Sequence, residues 1–136
     1  MDTGRVIRDA EEYLQEVVWE VLAPHPQECV LCYAARMLEA HGCDETLRWV
    51  GRFRALRSPR ATGLEERMRR VGGFCDCEVF LNGYGLAREH LVRDLDTDEL
   101  EPPDRPPPCA GVARMDSTRP CRVWERVRRA WRAAPR

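Results

Sequence analysis

The chain has 136 residues, with 22 arginines and no lysine against 23 acidic residues, for a formal net charge of −1. That length suits one domain with a modest core of its own. Apolar residues at 43% exclude a disordered chain, and the near balance of charge gives no global pull toward nucleic acid or a membrane surface.

The all-arginine basic set has a simple source in a GC-rich genome, while the functional alternative is recognition of phosphate or carboxylate by guanidinium forks. The stretch from Met1 to Glu12 is charged and carries no apolar signal core. No run approaches the ~18 apolar residues of a membrane helix. The expectation is a cytoplasmic protein with no membrane association, in a compartment where thiols stay reduced.

Val6, Tyr13, Leu14, Val17, Val18, Val21 and Leu22 repeat at helical spacing and predict a first, acidic helix, stopped by Pro24 and Pro26. A second helix is expected over Cys29 to His41, with Gly42 as its C-terminal cap. Asp44 is placed as the N-cap of a third, whose stripe is Leu47, Val50, Phe53 and Leu56. A fourth runs from Gly63 to Val71, introduced by a Thr62–Glu65 capping box. After Gly72-Gly73, the segment GGFCDCEVFLNGYG reads as a turn, a short strand near Glu78 to Leu81, and a turn at Asn82-Gly83. A helical stretch follows from Leu86 to Leu95, then an acidic and proline-rich stiff connector over 94–108. The tail from Arg122 is a basic helix candidate, with Val123, Val127 and Trp131 on one face.

The fold class expected is therefore mainly α, a small helical domain with a short β element, cross-linked by zinc. Residues 1–101 form the helical zinc-binding domain, and residues 102–136 the connector and basic tail, clasped to it by a second zinc.

The seven cysteines carry the strongest signal. An odd number cannot pair completely as disulfides within one chain. Cys29 and Cys32 are spaced C-x-x-C, and Cys75 and Cys77 are spaced C-x-C. Thiolates at these spacings can reach one metal, and zinc takes four such ligands in a tetrahedron. One partition joins Cys29, Cys32, Cys75 and Cys77. A second uses all seven: Cys43, Cys75 and Cys77 with one further ligand, and Cys29, Cys32, Cys109 and Cys121 as a clasp. One or two zinc ions follow, ahead of an iron–sulfur cluster. A C-x-x-C redox couple is the main rival, but the strand that precedes such a motif in a thioredoxin-like unit is missing. A single cysteine on a helix is ordinarily a small buried apolar residue, a reading that suits Cys43 or Cys121 alone and not the two close pairs.

CDETLR from Cys43 to Arg48, followed by GGFCDCEVFLN from Gly72 to Asn82, resembles the bacterial family called domain of unknown function 2695. Members of that family carry a cysteine before T-L-R, a helical spacer and a G-G-x-C-D-C-E-V signature. The flanking CVLCYAARMLEAHG and CAGVARMDSTRPC look like its longer actinobacterial version. The resemblance implies that Cys43, Cys75 and Cys77 are the shared cysteines. Where the family often has histidine, this chain has Glu45, which leaves Glu45, His41 or a cysteine of the Cys29/Cys32 pair as the fourth ligand. It implies no activity.

Among the histidines, His41 is the metal candidate, two residues before Cys43; its alternative is a cap for the second helix. Glu78 follows Cys77 and could act as base toward metal-bound water, or simply be solvated. H-E-x-x-H and the zinc deaminase signature are both absent. Arginines cluster on the third and fourth helices and in the tail, fitting either a protein or nucleic-acid partner or a solvated face. The function expected is a non-enzymatic, zinc-stabilised binding protein. The alternatives are a metal-dependent enzyme with an open zinc position at C-D-C, and a thiol-based redox or metal-handling protein.

Overall fold

The computed structural model describes residues 3–127 of the chain. It is helix-rich, with two small antiparallel sheets. Helix α1 spans Thr3–Leu22, α2 Val30–His41, α3 Arg48–Arg57 and α4 Leu64–Arg70. A short helix α5, Asp76–Glu78, continues into a π-helical turn at Val79–Gly83. Strand β1 (Tyr84–Leu86) pairs with β4 (Trp124–Arg126), and β2 (Val92–Arg93) with β3 (Leu100–Glu101). Among the described residues, no helix is long and apolar enough to cross a membrane.

The core lies between α2, α3 and α4. Tyr33, Trp49 and Phe53 are fully buried, with Tyr33 edge-on to Trp49 and tilted against Phe53. Val30, Leu31, Ala34 and Met37 supply the buried face of α2, and Leu64 and Met68 that of α4. Their 3–4 residue spacing is the reason these segments are helices that pack rather than strands. Gly42 ends α2 at φ 79, donating its N–H to the carbonyl of Leu38. That is a left-handed position glycine adopts without a Cβ clash.

Helix α1 is different. Its apolar stripe is present, but Val6, Tyr13, Leu14, Val18 and Val21 are all exposed among the described residues. Its C-terminal end is fastened: the Tyr33 hydroxyl donates to the Leu22 carbonyl, and Arg52 lies 4.8 Å above the Trp19 ring.

Several local expectations are corrected. Asp44 does not cap α3; it accepts from Thr46 in its own turn, and the α3 cap comes instead from Asp76. A local Asx turn outcompeted the cap because that aspartate reaches its own backbone two residues on. The Thr62–Glu65 capping box does not form: the N-cap of α4 is Gly63, with no side-chain cap, and Glu65 pairs with Arg54 at 2.7 Å. Residues 78–81 are helical, not a strand, and the strand lies further on at Tyr84–Leu86. Helix here buries Asp76 and Val79 together on the core side, which alternation would not. The tight approach is possible because Gly73 has no Cβ; one would meet a Val79 methyl at 2.6 Å. In place of a helix over 86–95 there is one 3-10 turn, Arg88–His90, followed by β2. The tail residues Trp124–Arg126 form a strand, not a helix, because β1 offers them a ladder and Val123 a buried anchor. The rest of the expected tail helix, with Trp131, lies outside the described residues.

Candidate metal centre

Four cysteines from three places in the chain meet at the N-terminus of α2. The Sγ atoms of Cys29, Cys32, Cys109 and Cys121 all lie within 4.8 Å of one another. Cys32 and Cys121 are 3.7 Å apart, and Cys109 and Cys121 3.8 Å. A disulfide would require about 2.05 Å. A tetrahedron with metal–sulfur bonds of ~2.3 Å has sulfur–sulfur edges of about 3.8 Å. The donor set therefore fits a four-coordinate thiophilic ion and does not fit disulfides.

Local structure builds this cluster. Cys29 is the N-cap of α2, and its sulfur accepts the amide of Cys32 at 3.3 Å. A helix N-terminus offers free N–H groups and the positive end of the dipole, both of which favour thiolate over thiol. Gln27 and Gly111 both take left-handed conformations, at φ 66 and φ 85. This lets two loops wrap together: Val112 donates to the Gln27 carbonyl at 3.0 Å. The amides of Cys29 and Gly111 both point at the sulfur of Cys109, each at 3.3 Å. The Trp124 indole N–H donates to the sulfur of Cys32 at 3.2 Å. The amides of Cys32, Cys29 and Gly111 and the Trp124 indole are all aimed at sulfur, which suits negative charge there.

The thiols titrate accordingly. Cys29 is pulled down to about 5, first by the hydrogen bond from the Cys32 side chain and against the cost of burial. Cys32 is pushed up by that same hydrogen bond, with burial adding to it. Cys121 is raised by burial, against amide donors from Val123 and Ala110. Opposite shifts on neighbouring sulfurs are the behaviour expected of close thiols sharing few protons.

The loop before Cys29 is held by a buried pair. Glu28 accepts from Arg36 Nε at 3.0 Å and Nη2 at 2.8 Å, and from the His25 amide at 3.0 Å. Burial opposes ionisation of Glu28, yet the bonds from Arg36 and His25 hold its carboxyl below the usual range.

The second group of cysteines sits on the far end of α2. Asp76, fully buried between Cys75 and Cys77, accepts the amides of Trp49 at 2.9 Å and Val50 at 3.1 Å. Its own amide donates to the Thr46 carbonyl at 3.1 Å. Burial pushes this carboxyl up, against the two amides. The result clamps C-D-C to the loop carrying Cys43. The Cys43 sulfur accepts the amide of Glu45 at 3.4 Å. Cys43, Cys75 and Cys77 are partly exposed, whereas Cys29 and Cys121 are buried. Burial opposes the Cys43 thiolate, but amides of Cys77 and Glu45 bring it below the usual thiol range. Cys77 is pushed up to about 11, chiefly by donating to Cys43.

The structure thus groups Cys29 and Cys32 with Cys109 and Cys121, not with Cys75 and Cys77, and so they are not on hand as a fourth ligand for Cys43. His41 is exposed and packs its ring on Trp49, centroids 5.5 Å apart. Among the described residues, the four-cysteine set is the group whose ligand atoms converge within 4.8 Å, and neither His41 nor the Cys43 trio joins it. Sequence reasoning missed Trp124 and Asp76 as supports. The aspartate had a signal, since a charged residue flanked by cysteines in an otherwise half-buried segment needs partners; the tryptophan had none.

No curated protein and no solved structure matches the chain. Residues 30–82 match the model of the family described as "Protein of unknown function (DUF2695)", so that segment of the chain is similar to this family of unknown function.

Proposed function

We propose that Cys29, Cys32, Cys109 and Cys121 bind one zinc ion, and that the protein is a non-enzymatic binding protein whose fold this ion completes. The carrying observation is the convergence of four sulfurs at the edge lengths of a tetrahedral thiolate site. Four protein ligands leave no coordination position for water or substrate, which is the mark of a structural site. Tetrahedral sulfur also accepts iron, so metal identity is one of the things to be measured.

The ion would tie residues 109–121 to the head of α2. Arginines already assist at the same place: Arg57 donates to the Met115 carbonyl at 2.7 Å and Arg67 to that of Thr118 at 2.7 Å. Others are engaged internally, with Arg54 on Glu65 and Arg48 stacked 4.1 Å above Trp49. These contacts favour a structural use for much of the basic charge on α3 and α4. The partner, protein or nucleic acid, is to be sought with the full chain, including the basic residues beyond 127.

The test is elemental analysis and native mass spectrometry of the intact chain beside its Cys109→Ser variant, with salt-dependent binding to duplex and single-stranded nucleic acid measured alongside. Zinc lost or weakened in the variant supports the site. Metal-free protein with an unchanged melting profile defeats it, and iron in place of zinc corrects the ion. Binding that falls steeply with salt identifies nucleic acid as partner, whereas none at low salt leaves a protein.

A further inference from the structure

The proline-rich connector supplies no metal ligand before Cys109, yet it encloses space. Five prolines between Pro102 and Pro108 line a cavity of about 460 Å³ shared with α2, β1 and β4. From α2 come Cys32, Ala35, Arg36 and Glu39, whose spacing puts them on one helix face. Leu86 and Trp124 come from the paired strands, with Val123 next to them in the chain. The volume suits a small organic molecule, and mostly apolar walls with a few polar groups are usual for such sites. Proline fixes φ, so this wall is stiff before anything binds and little order has to be created on binding.

The charges around the cavity select among ligands. Arg36 is already neutralised: it donates to the two oxygens of Glu28 at 3.0 Å and 2.8 Å, and to the Ala23 carbonyl at 3.1 Å. Asp104 and Arg105, of opposite sign, interrupt the prolines and do not line the cavity. What remains is the exposed Glu39 carboxylate, which has no hydrogen bond or ion pair among the described residues. Cys32 and Cys109, two of the four clustered cysteines, line the cavity as well. Four thiolates around a divalent ion keep net negative charge. The Trp124 indole N–H is taken by the sulfur of Cys32 at 3.2 Å, so this residue offers a ligand its ring and not its donor. An aromatic ring in negative surroundings attracts a cation and repels an anion.

We infer that this cavity is a binding site for a small organic cation, an ammonium group carried on an apolar body. Glu39 supplies the counter-charge and Trp124 the aromatic surface, while Leu86, Val123 and the prolines supply apolar contact. The carboxylate and the ring argue for this without the metal; only the added charge of the cluster rests on the zinc reading above.

The experiment is calorimetric titration of the full chain, with zinc counted in the same sample and the site located by amide chemical shifts. The probes are benzyltrimethylammonium, neutral benzyl alcohol and anionic phenylacetate. The ammonium is expected to bind at least ~10-fold more tightly than phenylacetate, with shifts centred on Ala35, Leu86 and Trp124. Glu39→Gln, a change at an exposed position, should weaken the ammonium about 3–5-fold. Ala35→Leu, which adds a side chain at the cavity wall, should abolish binding, with circular dichroism reporting that the variant folds. Equal affinity for the three probes overturns the proposal, as does ammonium binding that neither variant changes. No binding to folded, zinc-loaded protein overturns the cavity site and leaves the metal centre standing. Ammonium binding of the expected selectivity by a chain that carries no zinc supports the cavity and overturns the metal reading alone.

Discussion

The two cysteine groups sit at opposite ends of α2 and are built by different means. At the N-terminal end, four sulfurs meet beside a tryptophan that lies 92 residues from Cys32, and two of the four are buried. At the C-terminal end, three partly exposed sulfurs come from two loops joined by one buried carboxylate. The first group is closed and long-range, so it fastens chain to chain. The second is partly exposed and lies beside a core that exists without it. Donors aimed at sulfur occur at both, but only the first has enough sulfurs to exclude a solvent ligand. The difference teaches that cysteine number near a metal is less informative than what holds the cysteines in place.

The comparison can be broken most severely at the closed cluster. Cys109→Ser, or stripping the metal with a strong chelator, should cost several kcal/mol, because structural zinc contributes folding free energy directly. Thermal melting should drop by many degrees, and amides of β1 and β4 should lose protection from hydrogen exchange, while α3 and α4 stay protected. Equal loss everywhere would show that the clasp is not a separable part of the fold.

Asp76→Ala is the corresponding strike at the other end. It removes the α3 cap and leaves two buried amides without partners, for a loss of about 2–3 kcal/mol. Denaturant unfolding measures this. If Asp76→Ala is tolerated within a few tenths of a kcal/mol, the carboxylate is not what joins the two loops.

Acid sharpens the contrast. Glu28 is held below its ordinary value, so the stability from its pair with Arg36 is complete above the usual carboxylate range near 4.5. It is lost as pH falls through the lowered value in the folded chain. Glu28→Gln should be less stable at neutral pH by roughly 1–3 kcal/mol and should flatten that part of the acid limb. A pH–stability curve parallel to that of the native chain would exclude Glu28 as its source.

The smallest effect is expected from Trp124→Phe, which keeps most of the ring contact with Phe80 and removes the N–H on Cys32. A loss of about 1 kcal/mol is expected, read as a lowered denaturation midpoint with unchanged slope. Metal content should not change; if it does, the indole positions Cys32 rather than merely donating to it.

Much of this molecule was legible in one dimension. The stripes of α2 and α3 follow from apolar spacing, Gly42 ends its helix as such a glycine should, and the segment resembling the family falls inside the matched residues 30–82. Cysteine spacing identified two local half-sites, C-x-x-C and C-x-C, because neighbouring side chains can reach one point whatever the rest of the chain does. Which half-sites join was a different matter. The Cys29 amide and the sulfur of Cys109 stand 80 residues apart in sequence and 3.3 Å apart in space, a contact that depends on how the whole chain loops back. The cap of α3 was misassigned for the same reason: Asp44 is adjacent in sequence, but Asp76 arrives from 27 residues away with its carboxylate already buried. Local propensity also failed where a partner strand was on offer, as at Trp124–Arg126 beside β1. The sequence by itself determined helices α1 to α4, the reach of each thiol pair and the family segment, since these depend on neighbours along the chain. Tertiary structure alone decided the grouping of cysteines and the exposure of α1, since both depend on which distant surfaces the chain brings together.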